Sequence, residues 1–517
     1  MKFRLLGAVV VATAGLTLTS SGGAVAVGNE ALTRDLDAIL ADGGLQGADV
    51  GITVRDANTG EVVYTRSGSR RSQVASNLKV LTTTAALELL GPDYKWKTEL
   101  QSSGARYGST LNGDLVLRGT GDPTMSAPRY KALADTLKNS GVTKVSGSLV
   151  LDDTAFDSQP YGLGWAWDDE PYSYNAETSA LTLSPDAKFS AGTVIVRVKP
   201  GAAAGAPVQV SVEPANDQVQ IRSTATTGDG GVTVEREHGT NVINVSGSTS
   251  VETTTLSTVK DPTGLVGSVF KKALADNGIK VVGGVKRGKA PQGAAVLASE
   301  ESITLGQLVN PLLKNSNNML AEVLVKTAGG SFTNGVNQLS RKWGGLGVDA
   351  NWVEIFDGSG MSRMDEISPD DLSNVLVKAK TKPWFGTWQA SLPIAGRDGT
   401  LVNRMKGTAA EGKVLAKTGS MSGVSALTGY ATTQDGRELA FSLVQNNSVL
   451  WFNPRTIEDK VAVRLASDGG AQVATPKIEQ KIVPQNVPQQ RNAPAQERAK
   501  VPAKERFDVE CSWVNAC

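Results

Sequence analysis

Ser76-Asn77-Leu78-Lys79-Val80-Leu81-Thr82-Thr83-Thr84-Ala85-Ala86-Leu87-Glu88-Leu89-Leu90 runs without Gly or Pro and is followed by Gly91-Pro92. Leu78, Leu81, Ala85 and Leu89 share one helical face, so the spacing predicts a helix over 76–90 that Gly91-Pro92 stops. At its start a serine and a lysine lie one turn apart, where an amine can reach a hydroxyl. An amine kept neutral by burial and nearby positive charge can take the proton of a serine Oγ. The unpaired N–H groups of a helix N-terminus favour the negative charge that then develops. Immediately upstream, Val50, Ile52 and Val54 alternate with small or polar residues, Asn58-Thr59-Gly60 turns, and Val62-Val63-Tyr64-Thr65 returns. That pattern is a β-hairpin.

The composition narrows the chemistry. The 517 residues suggest two to four domains. Lys plus Arg number 52 and Asp plus Glu 51, a net charge of +1, which excludes a strongly basic nucleic-acid binder and an acidic solvating chain. Hydrophobic residues at 40% fit a globular protein. With one histidine, His238, a zinc site built on several histidines is impossible. Both cysteines, Cys511 and Cys517, stand at the C-terminal end, so the body carries neither a disulfide nor a Cys-based metal site. The reading calls for no metal and no cofactor. Lys2 and Arg4, the uncharged apolar run 5–19 and Ala24-Val25-Ala26 form an export signal over 1–26, cut near Ala26. The apolar run is shorter than the ~20 residues of a spanning helix, although an uncut anchor is the competing reading. The expected place is outside the cytoplasmic membrane, extracellular or in the cell envelope, with peripheral membrane or cell-wall association left open.

Further along, 302–467 reads as α/β. Helices are expected over 303–314 and 319–327, and Ser368-Pro369-Asp370-Asp371 is a helix start with an N-cap, Pro in the first turn and acidic residues beside it. Strands are expected over 414–417, 424–432 and 439–445, the last two joined through Asp435-Gly436, and Asn453-Pro454 opens a final helix. The segment 98–298 is rich in Gly, Thr, Val and Ser, with alternating runs at 194–198 and 208–212 and frequent turn residues, an all-β texture. Its aromatic cluster, Tyr161, Trp165, Trp167 and Tyr172, reads as a packed loop rather than a ligand wall. The segment 469–517, with spaced prolines and glutamines, is expected to be a flexible tail.

Ser76-x-x-Lys79 alone is weak, since Ser257 to Lys260 and Ser268 to Lys271 spell the same string. Ser316-Asn317-Asn318 lies in a loop between two expected helices, although Ser173-Tyr174-Asn175 also spells Ser-x-Asn. Lys417-Thr418-Gly419 occurs once, at the end of a small-residue strand where Gly lets a substrate backbone come close. Ser76, Ser316 and Lys417 all fall in the two α/β segments. Ser-x-x-Lys, Ser-x-Asn and Lys-Thr-Gly together resemble the set of penicillin-binding proteins and class A β-lactamases.

Longer strings sharpen the likeness: Ala75 to Lys79, Gly119-Thr120-Gly121-Asp122-Pro123, Lys314 to Glu322, Asp357-Gly358-Ser359-Gly360-Met361-Ser362-Arg363, Leu392 to Thr400, and Ala416 to Leu427. Over about residues 30 to 467 the chain resembles the D-alanyl-D-alanine carboxypeptidase/endopeptidase family, the low-molecular-mass class C penicillin-binding proteins. Ser420 stands where Thr is commoner and Met421 replaces a frequent Leu. The resemblance implies an α/β (α+β) fold, a penicillin-binding/β-lactamase-like transpeptidase domain with an antiparallel sheet flanked by helices. Two small β-rich domains interrupt it. The expected boundaries are 27–97 plus 301–468 for the catalytic domain, 98–121 plus 191–300 for one inserted domain, and 122–190 for a second nested in it.

The resemblance further implies a serine-type carboxypeptidase, and endopeptidase, acting on peptidoglycan stem peptides and acylated by β-lactams. Ser76 is the expected nucleophile and Lys79 its base. The N–H groups of Ser76 and Ser420 form the oxyanion hole. Ser316 relays the proton, and Asn318 orients Lys79 and the substrate amide. Lys417, Thr418, Gly419 and Ser420 receive the terminal carboxylate side, and Arg363 and Met421 the peptide side chain. The competing readings are a β-lactamase or esterase on the same fold, and a non-catalytic peptidoglycan-binding or sensor protein.

Overall fold

The computed structural model describes residues 29–449 and 451–469. The expected signal peptide, the tail beyond residue 469 and both cysteines lie outside the described residues. Five strands make the central sheet: β1 Asp49–Asp56, β2 Val62–Arg66, β3 Val414–Met421, β4 Val424–Thr432 and β5 Glu438–Asn446, in the order β3-β4-β5-β1-β2. Every pairing is antiparallel, with Ile52 opposite Leu443 and Lys417 opposite Thr428. The hairpin read from the sequence is β1–β2, and β5 joins it to the C-terminal hairpin, so the two distant α/β segments share one sheet.

Alternation of side chains gives this sheet two apolar faces. Leu439, Phe441 and Leu443 pack with Ile52, Val54 and Leu427 against α1 (Asn29–Leu40) and α7 (Arg455–Ala466). Ala440, Val444, Ala426 and Tyr430 face the other way, into a core shared with α2 (Leu78–Leu90), α3 (Leu305–Lys314), α4 (Asn318–Gly329), α5 (Phe332–Trp343) and α6 (Pro369–Ala379). The start of α6 is the expected one: Ser368 and Asp371 form a reciprocal capping box with Pro369 in the first turn.

α2 is the innermost helix, buried on all sides from Leu78 to Leu87. Its threonines satisfy their hydroxyls inside the core: Thr83 Oγ1 donates to the Lys79 carbonyl at 2.6 Å and Thr84 Oγ1 to that of Val80 at 2.8 Å. The helix begins two residues later than the sequence suggests, because Ala75–Asn77 is a separate 3-10 turn. Gly91 ends it with φ 83°, a conformation that suits glycine.

The chain leaves the catalytic body along Lys97–Ser102 and returns along Ala295–Glu301, two antiparallel neighbours with Lys97 opposite Glu301. The insertion between them is not all β. Its main sheet, in the order 285–287, 149–152, 115–119, 97–102, 295–301, contains parallel pairs. It is packed by helices Ala127–Asn139 and Pro262–Asp276. Tyr130, Leu133, Ala134 and Leu137 form the buried face of the first helix, an amphipathic pattern masked by the turn-rich residues around it. The nesting also differs from the expected one. A boundary at 122–190 cuts this sheet, since Leu149–Asp152 is bonded to Leu115–Gly119. The continuous segment whose strands pair only among themselves is 193–258, as a three-stranded and a four-stranded sheet, while a small sheet of 106–107, 110–111, 144–145 and 280–281 draws its strands from both sides of that segment.

Candidate active site

The 3-10 turn carrying Ser76 is held in an uncommon backbone state. Ala75 has φ 47°, a left-handed conformation that costs a non-glycine residue about 1–3 kcal/mol and persists only where surroundings impose it. The surroundings are close. A Cβ on Gly360 would lie 1.9 Å from the Ala75 carbonyl oxygen, and one on Gly419 would lie 2.5 Å from that of Val74. The turn carrying Ser76 is thus clamped between the 357–360 turn and the edge strand β3.

Lys79, fully buried, lies one helical turn below Ser76. Its Nζ is 2.7 Å from Ser76 Oγ, 2.7 Å from Asn318 Oδ1 and 2.9 Å from the Ser359 carbonyl oxygen. Asn318, the first residue of α4, is itself oriented by donating Nδ2–H to the Tyr174 carbonyl at 2.9 Å. A second cluster stands on β3. Lys417, also fully buried, donates from Nζ to Ser316 Oγ at 2.7 Å and to the Thr418 carbonyl at 2.6 Å. Ser316 adopts φ 53°, the second left-handed non-glycine residue at this site. Both serines are half-buried while both amines are sealed beneath them.

The remaining expected residues line β3 and its turn. Thr418 Oγ1 is 2.8 Å from Thr400 Oγ1. Ser420 Oγ accepts from Arg455 Nη2 at 3.1 Å. Gly419 abuts the nucleophile turn as described, and Met421 closes the strand opposite Val424. Arg363 reaches the Ser422 carbonyl at 3.4 Å and receives the Gln73 side chain on its own carbonyl at 2.8 Å. Ser257 and Ser268, from the other Ser-x-x-Lys strings, belong to a strand and a helix of the insertion. His238 also lies in the insertion, with its ring 5.0 Å from Trp167 and Nδ1 3.2 Å from Glu170.

Residues to which the sequence reading gave no role complete the surroundings. Arg455 brings a guanidinium to Ser420, and Thr400 a hydroxyl to Thr418. Glu322, one helical turn after Asn318, is fully buried and accepts the Gly358 and Ser359 N–H groups at 2.9 Å each. Burial and the neighbouring Asp357 push its carboxyl up to about 8, against the pull of those amides and of Lys79. Asp357 accepts from Gly360 N at 2.8 Å, Ser362 N at 2.7 Å and Trp165 Nε1 at 2.8 Å. Asp365, beside it, is held well above the ordinary carboxyl range, chiefly by burial and then by Asp357. The spacing of Glu322 from Asn318 puts both on one helical face, but the 358–359 turn that Glu322 holds is met only in the fold. Trp165 belongs to the insertion's aromatic cluster, which is a packed loop at this residue and leaves Trp167 77% exposed.

Residues 32–468 match the model of the D-Ala-D-Ala carboxypeptidase 3 (S13) family. A D-alanyl-D-alanine carboxypeptidase of Actinomadura sp. (strain R39) is 41% identical over 509 residues, 94% of this chain and 90% of that protein. The carboxypeptidase DacB of Haemophilus influenzae is 27% identical over 414 residues, 77% of this chain and 85% of that one. A crystal structure of penicillin binding protein 4 (DacB) from Haemophilus influenzae superposes with a TM-score of 0.72 at 26% identity, covering 85% of this chain and 98% of that chain. With a family match spanning the central sheet, its helices and the insertion, the chain belongs to the D-Ala-D-Ala carboxypeptidase 3 (S13) family of serine peptidases.

Proposed function

We propose that this carboxypeptidase works through an acyl-enzyme on Ser76, with Lys79 as the base. The observation that carries the reading is the environment of Lys79 Nζ. Two of its neighbours, Asn318 Oδ1 and the Ser359 carbonyl, can only accept hydrogen bonds, while Ser76 Oγ can also donate. A neutral amine gives its two N–H groups to those acceptors and turns its lone pair to the serine hydroxyl. Ser76 Oγ then attacks the carbonyl between the last two D-alanines, and its proton moves to Lys79. The N–H groups of Ser76 and Ser420 receive the oxyanion, each worth roughly 2.7–4 kcal/mol. Ser316, hydrogen-bonded to Lys417, relays that proton from Lys79 to the leaving amine, which leaves Ser316 a hydroxyl and Lys79 neutral again. D-Alanine departs, and water frees Ser76.

Lys417, the Thr418 and Ser420 hydroxyls and Arg455 gather positive charge and donors where the terminal carboxylate binds. Arg363 and Met421 flank the turn after β3 and meet the peptide side chain. A cross-linked stem peptide ending in a D-residue bond is cut by the same steps, which gives endopeptidase activity. β-Lactams acylate Ser76 in place of substrate, in keeping with the penicillin-binding name of the structural relative. The substrate lies outside the cytoplasmic membrane, consistent with an export signal at 1–26. The reading is tested by mass spectrometry of the protein with benzylpenicillin: wild type gains one penicilloyl group on the peptide containing Ser76, and Ser76→Ala gains none. Full labelling of S76A would refute it.

A further inference from the structure

One side of α4 carries a polar stripe, Asn318, Glu322 and Lys326, at successive turns of an otherwise apolar helix. Asn318 touches Lys79 directly. Lys326 pairs with Asp157 of the insertion at 2.7 Å. Glu322 touches neither Ser76 nor substrate. Its two oxygens instead receive two consecutive main-chain N–H groups, those of Gly358 and Ser359. The carbonyl of that same Ser359 receives Lys79 Nζ–H, and the Gly358 carbonyl receives Thr82 Oγ1–H at 2.7 Å. The turn has no slack. A Cβ on Gly358 would lie 2.6 Å from the Ala321 carbonyl, and one on Gly360 would meet Ala75.

We infer that Glu322 is a positioning residue for acylation: by holding the Gly358 and Ser359 amides it fixes the Ser359 carbonyl, and so directs the lone pair of Lys79 at Ser76 Oγ. The inference rests on the reading of Ser76 and Lys79 as the acylating pair. α4 thereby sets both acceptors of the amine, one through Asn318 itself and one through the main chain that Glu322 holds. A carboxyl suits the task because both its oxygens keep lone pairs that can accept, in the protonated form as in the ionised one. In Glu322→Gln one of the two N–H groups faces an amide NH2, which cannot, so the turn must rotate. Ångström displacements of a catalytic group cost up to about 100-fold in rate.

The test uses the full chain and a fluorescent penicillin, separating the noncovalent dissociation constant from the acylation rate constant, with the thermal midpoint measured in parallel. For E322Q the acylation rate constant is expected to fall about 10- to 100-fold, with the dissociation constant within threefold and the same final stoichiometry of label on Ser76. Leu324→Ala removes a fully buried apolar side chain of the same helix and controls for lost stability: it is expected to lower the midpoint without a matching loss of rate. Should E322Q not accumulate as folded protein, Glu322→Asp, one methylene short, is read by the same criteria. Acylation by the folded Glu322 variant within threefold of wild type, or an equal slowing in L324A, overturns the inference. Absence of label on Ser76 in wild type would instead overturn the acyl-enzyme reading beneath it.

Discussion

Single residues at this site are defined by where their protons sit. Glu322 binds its proton more tightly in the fold than in the unfolded chain, because burial and Asp357 push it up from 4.5 to about 8. Asp365 shifts in the same direction. A group with a raised folded pKa contributes stability that is complete below its unfolded value and disappears as pH rises through the folded one. The free energy of unfolding is therefore expected to fall between pH 5 and pH 9, and E322Q to flatten part of that slope. Urea titrations across this range check it, and equal slopes in both proteins would contradict it. Lys79 and Lys417 were legible in the sequence as motif lysines. Glu322 and Arg455 were not, because their roles depend on a turn and a strand that only tertiary folding brings to them.

At the scale of elements, β3 matters as much as α2. Its Gly419 has no room for a side chain against the Val74 carbonyl, so close contact between strand and nucleophile turn depends on glycine. Gly419→Ala is expected to keep the far-ultraviolet circular dichroism of wild type and to lower stability by about 1–3 kcal/mol. Penicillin acylation should slow by about 100-fold as β3 is pushed from Ser76. Wild-type acylation in G419A would contradict this dependence. The strands β3, β4 and β5 were readable because each is a short small-residue or apolar run between turn residues. α6 was readable because Ser368-Pro369-Asp370-Asp371 is a local capping signal. Helices Ala127–Asn139 and Pro262–Asp276 went unread because Gly- and Thr-rich neighbours dominate the texture of that segment, although Asp261-Pro262, with Asp261 accepting the Gly264 N–H at 2.8 Å, is a local capping signal like that of α6.

The whole molecule is an enzyme body with an insertion that returns to touch the site. Trp165 and Tyr174, both from the insertion, hold Asp357 and Asn318. Trp165→Phe keeps the ring and deletes the N–H that Asp357 accepts. It is expected to cost about 1–3 kcal/mol as one bond to a buried carboxylate is lost, and to slow acylation about 3- to 10-fold through the 357–360 turn. Urea melts and labelling rates read the two effects, and an unchanged rate would confine the insertion to a mechanical role. The order of nesting could not be read from the sequence, because parallel strand partners such as Leu149 and Val285 are brought together only by the folded crossover.

Lys97 and Glu301 are opposite neighbours, and just outside them Trp96 and Ser302 exchange main-chain and side-chain hydrogen bonds at 2.9 and 3.0 Å. Everything between passes through this narrow neck. Because the ends meet, the central sheet keeps its register whatever length of chain hangs beyond it, and the entropic penalty of a longer excursion grows only logarithmically. Such a neck is a natural graft point, at which a different module could be joined without disturbing the central sheet.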